Sequence, residues 1–206
     1  FRDAPDASVP TVSGQLAFYG LSSYQANPSS FASTVFVNTP ITSDAAGNIY
    51  FGFRTTGSAP LNLQSGIARI DTAGNGSWIS ASAAANDGTI TAVPHQAAPV
   101  LSNDGQTLYV VVSGSGNGYL VGLDPATLQP KNVEPGVPMR VALKDPRNGG
   151  SANAQILDDS SATPMVGPDG DVYYGVMGRP VNGSRGWLLH FSSNLTQTKT
   201  PGGFGW

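Results

Sequence analysis

Apolar residues along this chain come in short runs separated by Gly, Pro, Asp and Asn, and three of these runs head a repeated unit. The first reads Pro40-Ile-Thr-Ser-Asp-Ala-Ala-Gly47-Asn-Ile-Tyr50-Phe-Gly-Phe. The second is Pro99-Val-Leu-Ser-Asn-Asp104-Gly105-Gln-Thr-Leu-Tyr109-Val-Val-Val, and the third is Pro164-Met-Val-Gly-Pro-Asp169-Gly170-Asp-Val-Tyr173-Tyr-Gly-Val. In each, a Pro leads a short strand, a Gly-centred turn follows, and an aliphatic-Tyr pair opens a second strand. Gly supplies the positive φ of a tight hairpin, and Pro, lacking an N–H, suits the first residue of a strand.

After a polar loop each unit continues with a third apolar run: Gly66-Ile-Ala-Arg-Ile-Asp71, Gly118-Tyr-Leu-Val-Gly-Leu-Asp124 and Gly186-Trp-Leu-Leu-His-Phe191. The tyrosines lie 59 and 64 residues apart, and the Tyr-to-Gly spacing runs 16, 9 and 13. Loop length varies while strand content stays fixed, which is how repeated supersecondary units diverge. Runs such as Leu108-Tyr-Val-Val-Val112 lack polar alternation and therefore predict strands buried on both faces.

These patterns predict strands near 41–43, 48–54, 67–71, 99–102, 107–113, 119–124, 164–167, 171–177 and 187–192. Fourth strands are expected at Gly76–Ser80 and Lys131–Val133, with further strands at Gly14–Tyr19 and Ser33–Val37. No helix is expected: Ala81–Ala85 permits one but is short and flanked by Ser and Asn. The fold class is all-β, in antiparallel units of four strands.

Composition sharpens this reading. Gly and Pro make up 42 of 206 residues, and 39% of residues are hydrophobic, as in a folded protein of short strands and many turns. Only 11% are charged, against a usual share of about 25%. The ten basic residues are scattered, so no nucleic-acid partner is expected, and no run approaches the roughly 20 apolar residues that span a membrane. There is no cysteine, which excludes disulfides, zinc-thiolate sites and thiol nucleophiles. Low charge with abundant Ser, Thr, Asn and Gly points to an extracellular or periplasmic location.

The repeats resemble those of the quinoprotein-like (pyrroloquinoline-quinone-type) β-propeller superfamily. The stretch Gly118-Tyr-Leu-Val-Gly-Leu-Asp124-Pro-Ala-Thr127-Leu is similar to that family's strand ending in Asp followed by a Thr-containing turn. The family's Gly after the Thr and its docking Trp are absent, since Leu128 follows Thr127. The resemblance implies a β-propeller in about three blades plus a partial one: 1–37 partial, 38–97, 98–162 and 163–206. It carries no cofactor, because no residue here matches the family's ligands to the quinone. Propellers close with four to eight blades, so the resemblance also implies that remaining blades, from further sequence or a second chain, cover two raw sheet faces.

The loops before Pro40, Pro99 and Pro164 are expected to converge at the axis, carrying Asn38-Thr39, His95-Gln96 and Asp158-Asp159. His95, Gln96, Asp158 and Asp159 form the candidate ligand site for a protein or a small polar ligand. Adjacent carboxylates repel unless a cation offsets them, so Asp158 and Asp159 are the candidate calcium ligands. Asp44, Asp104 and Asp169 read as turn residues, Asp71 and Asp124 as strand-end residues bonded to backbone N–H groups, and His190 as a packed or edge residue. Arg140, Lys144 and Arg147 read as a solvated loop, and Ser113–Gly118 as a hairpin loop, since no helix follows its glycines. With no catalytic signature, the expected function is a secreted binding or assembly module. A propeller enzyme such as a quinoprotein-like oxidoreductase, and a structural surface or filament component, are the alternatives.

Overall fold

The computed structural model describes residues 14–156, 162–178 and 186–199. It opens with two short helices, α1 (Leu21–Ala26) and α2 (Pro28–Thr34). Strands β1 (Val35–Val37), β2 (Thr42–Ser43), β3 (Ile49–Thr55), β4 (Gly66–Ile70) and β5 (Gly76–Ser80) form the first sheet. Helix α3 (Ala81–Ala85) leads to the second sheet, built from β6 (Ile90–Ala92), β7 (Val100–Leu101), β8 (Leu108–Gly114) and β9 (Gly118–Leu123). A small hairpin of β10 (Asn132–Glu134) and β11 (Val137–Pro138) precedes that sheet's edge strand, β12 (Arg140–Ala142). The third sheet contains β13 (Met165–Val166), β14 (Val172–Met177) and β15 (Gly186–Phe191).

All pairings are antiparallel, and the nine strands expected from the repeats are present with ends shifted by a residue or two. Each inner strand is split in two. Strands β1 and β2 pair with the upper and lower halves of β3, and β6 and β7 do the same along β8. In the third sheet Gln155 bridges Met177 while β13 pairs with Val172 and Tyr173. The breaks in the first two sheets are 38–41 and 93–99, so the loops before Pro40 and Pro99 interrupt inner strands. The connections between sheets run through 81–89 and 143–154 instead. This corrects their expected place, because each inner strand begins ahead of its break.

The sheets stack face to face. The first presents Tyr50, Ile67 and Ile79 to Leu108, Val110, Val112, Val121 and Leu123 of the second. The second presents Tyr109, Val111 and Leu120 to Val172, Tyr174, Val176, Leu189 and Phe191 of the third. Strand β8, buried along almost its whole length, contributes to both layers, as its unbroken apolar run requires. Helix α3 fits between the first two sheets because Ala81, Ala84 and Ala85 are small.

Four expectations are corrected. Helices exist: α3 is capped by Ser80, whose Oγ accepts the Ala83 N–H, and ended by left-handed Asn86 (φ 49°). Residues 14–19 are irregular and close in a turn. The fourth strand of the second sheet is β12, because the chain after Glu134 turns at Gly136 (φ 79°) and pairs β10 with β11. Only one raw sheet face lies uncovered among the described residues: the leading face of the first sheet (Phe51, Phe53, Ala68, Ile70) is covered by Phe18 and Phe31. Among the described residues no helix is long and apolar enough to cross a membrane.

Candidate functional site

Two places gather polar side chains. The first is the line where the inner-strand breaks meet. The Asn38 amide donates to the Val93 carbonyl at 2.9 Å, and Gln96 N–H donates to the Asn38 carbonyl at 3.0 Å. The Thr163 hydroxyl donates to the Gln96 carbonyl at 3.0 Å, and Thr42 to the Pro99 carbonyl at 2.6 Å. Gln96 sits at φ 67°, a left-handed conformation that aims its carbonyl at the third sheet. Gly52 makes room: a Cβ there would lie 2.6 Å from Thr39 Cγ2 and 2.7 Å from Val93 Cγ1. The breaks therefore converge, as the sequence suggests, but mainly through backbone groups. His95 and Gln96 are exposed at this line, while Asp158 and Asp159 lie outside the described residues.

The second place lies at the turn end of the third sheet. Asp171 is buried, with Lys199 Nζ at 2.8 Å and 2.6 Å from its two oxygens and His190 Nε2 at 2.7 Å. The chain positions all three. Asp171 follows the Asp169-Gly170 turn and Gly167 N–H donates to its carbonyl. His190 lies opposite Tyr173 across β14 and β15, their rings stacked at 4.4 Å and 18°. The Lys199 N–H donates to the His190 carbonyl at 2.8 Å. The Lys199 ammonium, and to a lesser degree the His190 hydrogen bond, hold the Asp171 carboxyl below its ordinary value, and Asp171 raises Lys199 in return.

Asp169, Asp171 and His190 bring one ligand atom each within 4.8 Å of one another. Lys199 already occupies both oxygens of Asp171, so a divalent cation would have to displace an ammonium in direct contact. The donor set fits an internally neutralised polar group better than a metal centre. Equivalent positions in the other sheets also receive a basic side chain, there on a neutral acceptor. Arg69 donates to Asn48 at 3.0 Å in the first sheet, and Lys131 to Thr107 at 3.0 Å in the second. The sequence reading of His190 as packed holds, but its pairing with Asp171 was missed. The signal was its alignment with Arg69, opposite the repeat tyrosine in register.

The remaining sequence candidates resolve into structural roles. Asp71 Oδ1 accepts the N–H groups of Ala73 and Asn75, and Asp124 Oδ1 those of Ala126 and Thr127. Asp44 does the same for Ala46 and Asn48 and also receives the Tyr50 hydroxyl at 3.0 Å. Arg140 is no loop residue: it lies in β12, 4.6 Å over the Tyr119 ring, and donates to the Ala85 carbonyl at the end of α3. Lys144 bonds Asn153, and Arg147 forks onto buried Asp145.

No family model matches the chain, and no curated protein does. Among solved structures the chain is similar to a luciferin-regenerating enzyme at 14% identity and a TM-score of 0.45, over 81% of this chain. The chain spans about half, 46%, of that structure's length.

Proposed function

We propose that the three stacked sheets are successive blades of a secreted, quinoprotein-like β-propeller that works as a binding or assembly module without chemistry of its own. One observation carries the reading: the inner strands of all three sheets meet along one hydrogen-bonded line through Asn38, Gln96 and Thr163. Sheets joined at their inner strands and stacked by their faces radiate from that line, which is the arrangement of propeller blades. Lys199 holds both oxygens of the Asp171 carboxylate, which supports a structural role for that group.

Two measurements test this. Electron microscopy of the intact protein from its own source is expected to show a ring of radial sheets; a straight stack overturns the propeller. Dye-linked oxidation of alcohols and aldehydes, with pyrroloquinoline quinone and calcium supplied, is expected to stay at background. Turnover above background overturns the non-catalytic reading in favour of an oxidoreductase.

A further inference from the structure

Resting on the reading of this protein as a binding module, we propose that a cavity between the outer strand of the first sheet and residues 16–21 takes the end of a neutral oligosaccharide, one pyranose ring lying against Trp78. The cavity measures about 450 Å³, inside the roughly 300–1,000 Å³ of small-molecule sites, and Leu16, Phe18, Tyr19, Leu21, Asn75 and Trp78 form its walls. Two of the large apolar side chains left exposed among the described residues, Leu16 at 44% and Trp78 at 36%, meet in it.

The repeat explains why the space is there. The turn after the third strand of each unit holds one residue in the left-handed conformation: Gly74 (φ 87°), Leu128 (φ 61°) and Leu195 (φ 59°). The two leucines are buried in the layers between sheets, and that packing offsets the strain of their backbone. In the first sheet the glycine leaves the corresponding volume unfilled. Leu16 borders it, its Cδ2 3.1 Å from where a Gly74 Cβ would stand.

The walls set the chemistry of the ligand. None of the ten lining residues carries a charge at neutral pH, so an ionic ligand would lose its solvation without gaining a counter-charge. Trp78 stands edge-on to Phe53 at 6.0 Å and 86°, and Tyr19 is stacked on Phe31, so the ring surfaces are in place before a ligand arrives. Asn75 Nδ2 donates to Asp71 Oδ2 at 3.1 Å, which orients the amide, and its Oδ1 receives no hydrogen bond from a described residue. A pyranose joins an apolar C–H face to a rim of neutral hydroxyls. Trp78 matches the face, and the Asn75 Oδ1 accepts from the rim.

The experiment exposes the full protein to a printed array of neutral oligosaccharides ending in glucose, galactose, mannose or N-acetylglucosamine, with sialylated and sulfated glycans beside them, and titrates the strongest hit by calorimetry. The expected result is a neutral glycan whose affinity is the same between about 0.1 and 1 M sodium chloride, because screening acts on charges. Trp78→Ala should weaken it at least about tenfold by removing the stacking ring, and Trp78→Phe should weaken it less. Gly74→Leu restores the residue of the other two turns, so it should melt near the parent while abolishing binding. Trp78→Phe carries the test if Gly74→Leu fails to fold. Phe36→Ala, on β1, should bind as the parent does. No neutral glycan bound, binding confined to the charged glycans, or a hit that neither Trp78→Ala nor Gly74→Leu weakens each overturns the proposal. The last of these moves the site elsewhere and leaves the binding-module reading standing, while dye-linked turnover sinks that reading without touching the Trp78 cavity.

Discussion

Removing the Phe31 ring tests whether residues 14–34 belong to the fold or merely lie beside it. Phe31 is 1% exposed, stacked on Tyr19 at 4.2 Å and 6°, and shares a cluster with Phe18, Phe51 and Phe53. Phe→Ala at a fully buried site costs about 3–5 kcal/mol, combining lost transfer energy with the cavity left behind. For a chain of 206 residues each kcal/mol moves the melting midpoint by roughly 2–4 °C, so Phe31→Ala should melt about 6–20 °C below the parent. Phe36→Ala, at a residue 41% exposed on β1, is the matched control and should shift it far less. Differential scanning calorimetry reads both, and binding of an anilinonaphthalene dye reports the uncovered Phe51 and Phe53. If Phe31→Ala melts with the parent and binds no more dye, the covering role of this segment is refuted.

Three further outcomes follow from particular contacts. Gly76→Ala should destabilise the same region, because its Cβ would lie 2.2 Å from the Phe18 carbonyl oxygen; a parent-like melt in chemical denaturant would contradict that approach. Burial pushes the Tyr109 phenol up to about 12, so it stabilises the fold fully below pH ~10 and loses that contribution as pH rises through about 12. Tyr109→Phe should cost about 1–2 kcal/mol at neutral pH by leaving the Ser193 carbonyl without its donor, and should remove the share of absorbance near 295 nm that titrates near pH 12. Asp171, held low by Lys199, stabilises the fold above its ordinary value of 3.8 and loses that contribution as pH falls through its lower folded value. Asp171→Asn should flatten the acid limb of a stability-versus-pH curve, and an unchanged limb would count against the ion pair.

Most of the sheet framework was readable because it rests on local chemistry. The Gly-centred turns before Tyr50, Tyr109 and Tyr173, and runs such as Leu108–Val112, define hairpins and doubly buried strands with little tertiary input. The helices were missed for different reasons. Helices α1 and α2 have Ser-rich sequences without an apolar period, and Phe31 is their only buried residue, so packing decides them. Helix α3 was legible: the Ser and Asn that argued for a loop are its two caps. Strand β12 escaped because Met139, next to it, fills the space over Gly122, a contact that no spacing rule contains. The Asp171 group needed the repeat register, which sets His190 opposite Tyr173 where Arg69 stands opposite Tyr50. The convergence of the inner loops could be anticipated from topology, but their backbone bonding could not.

Face-to-face stacking in sequence order makes stability directional. Each sheet touches its neighbours in the chain, so its opening free energy depends chiefly on how many of its two faces are covered. The second sheet has both layers, the first has one layer and the Phe18–Phe31 cover, and the third has one. Amide exchange should therefore be slowest along β8, intermediate in β3 and β4, and fastest in β14 and β15. Loss of structure should travel from the C-terminal sheet towards the N-terminal one, with the second sheet the last to open.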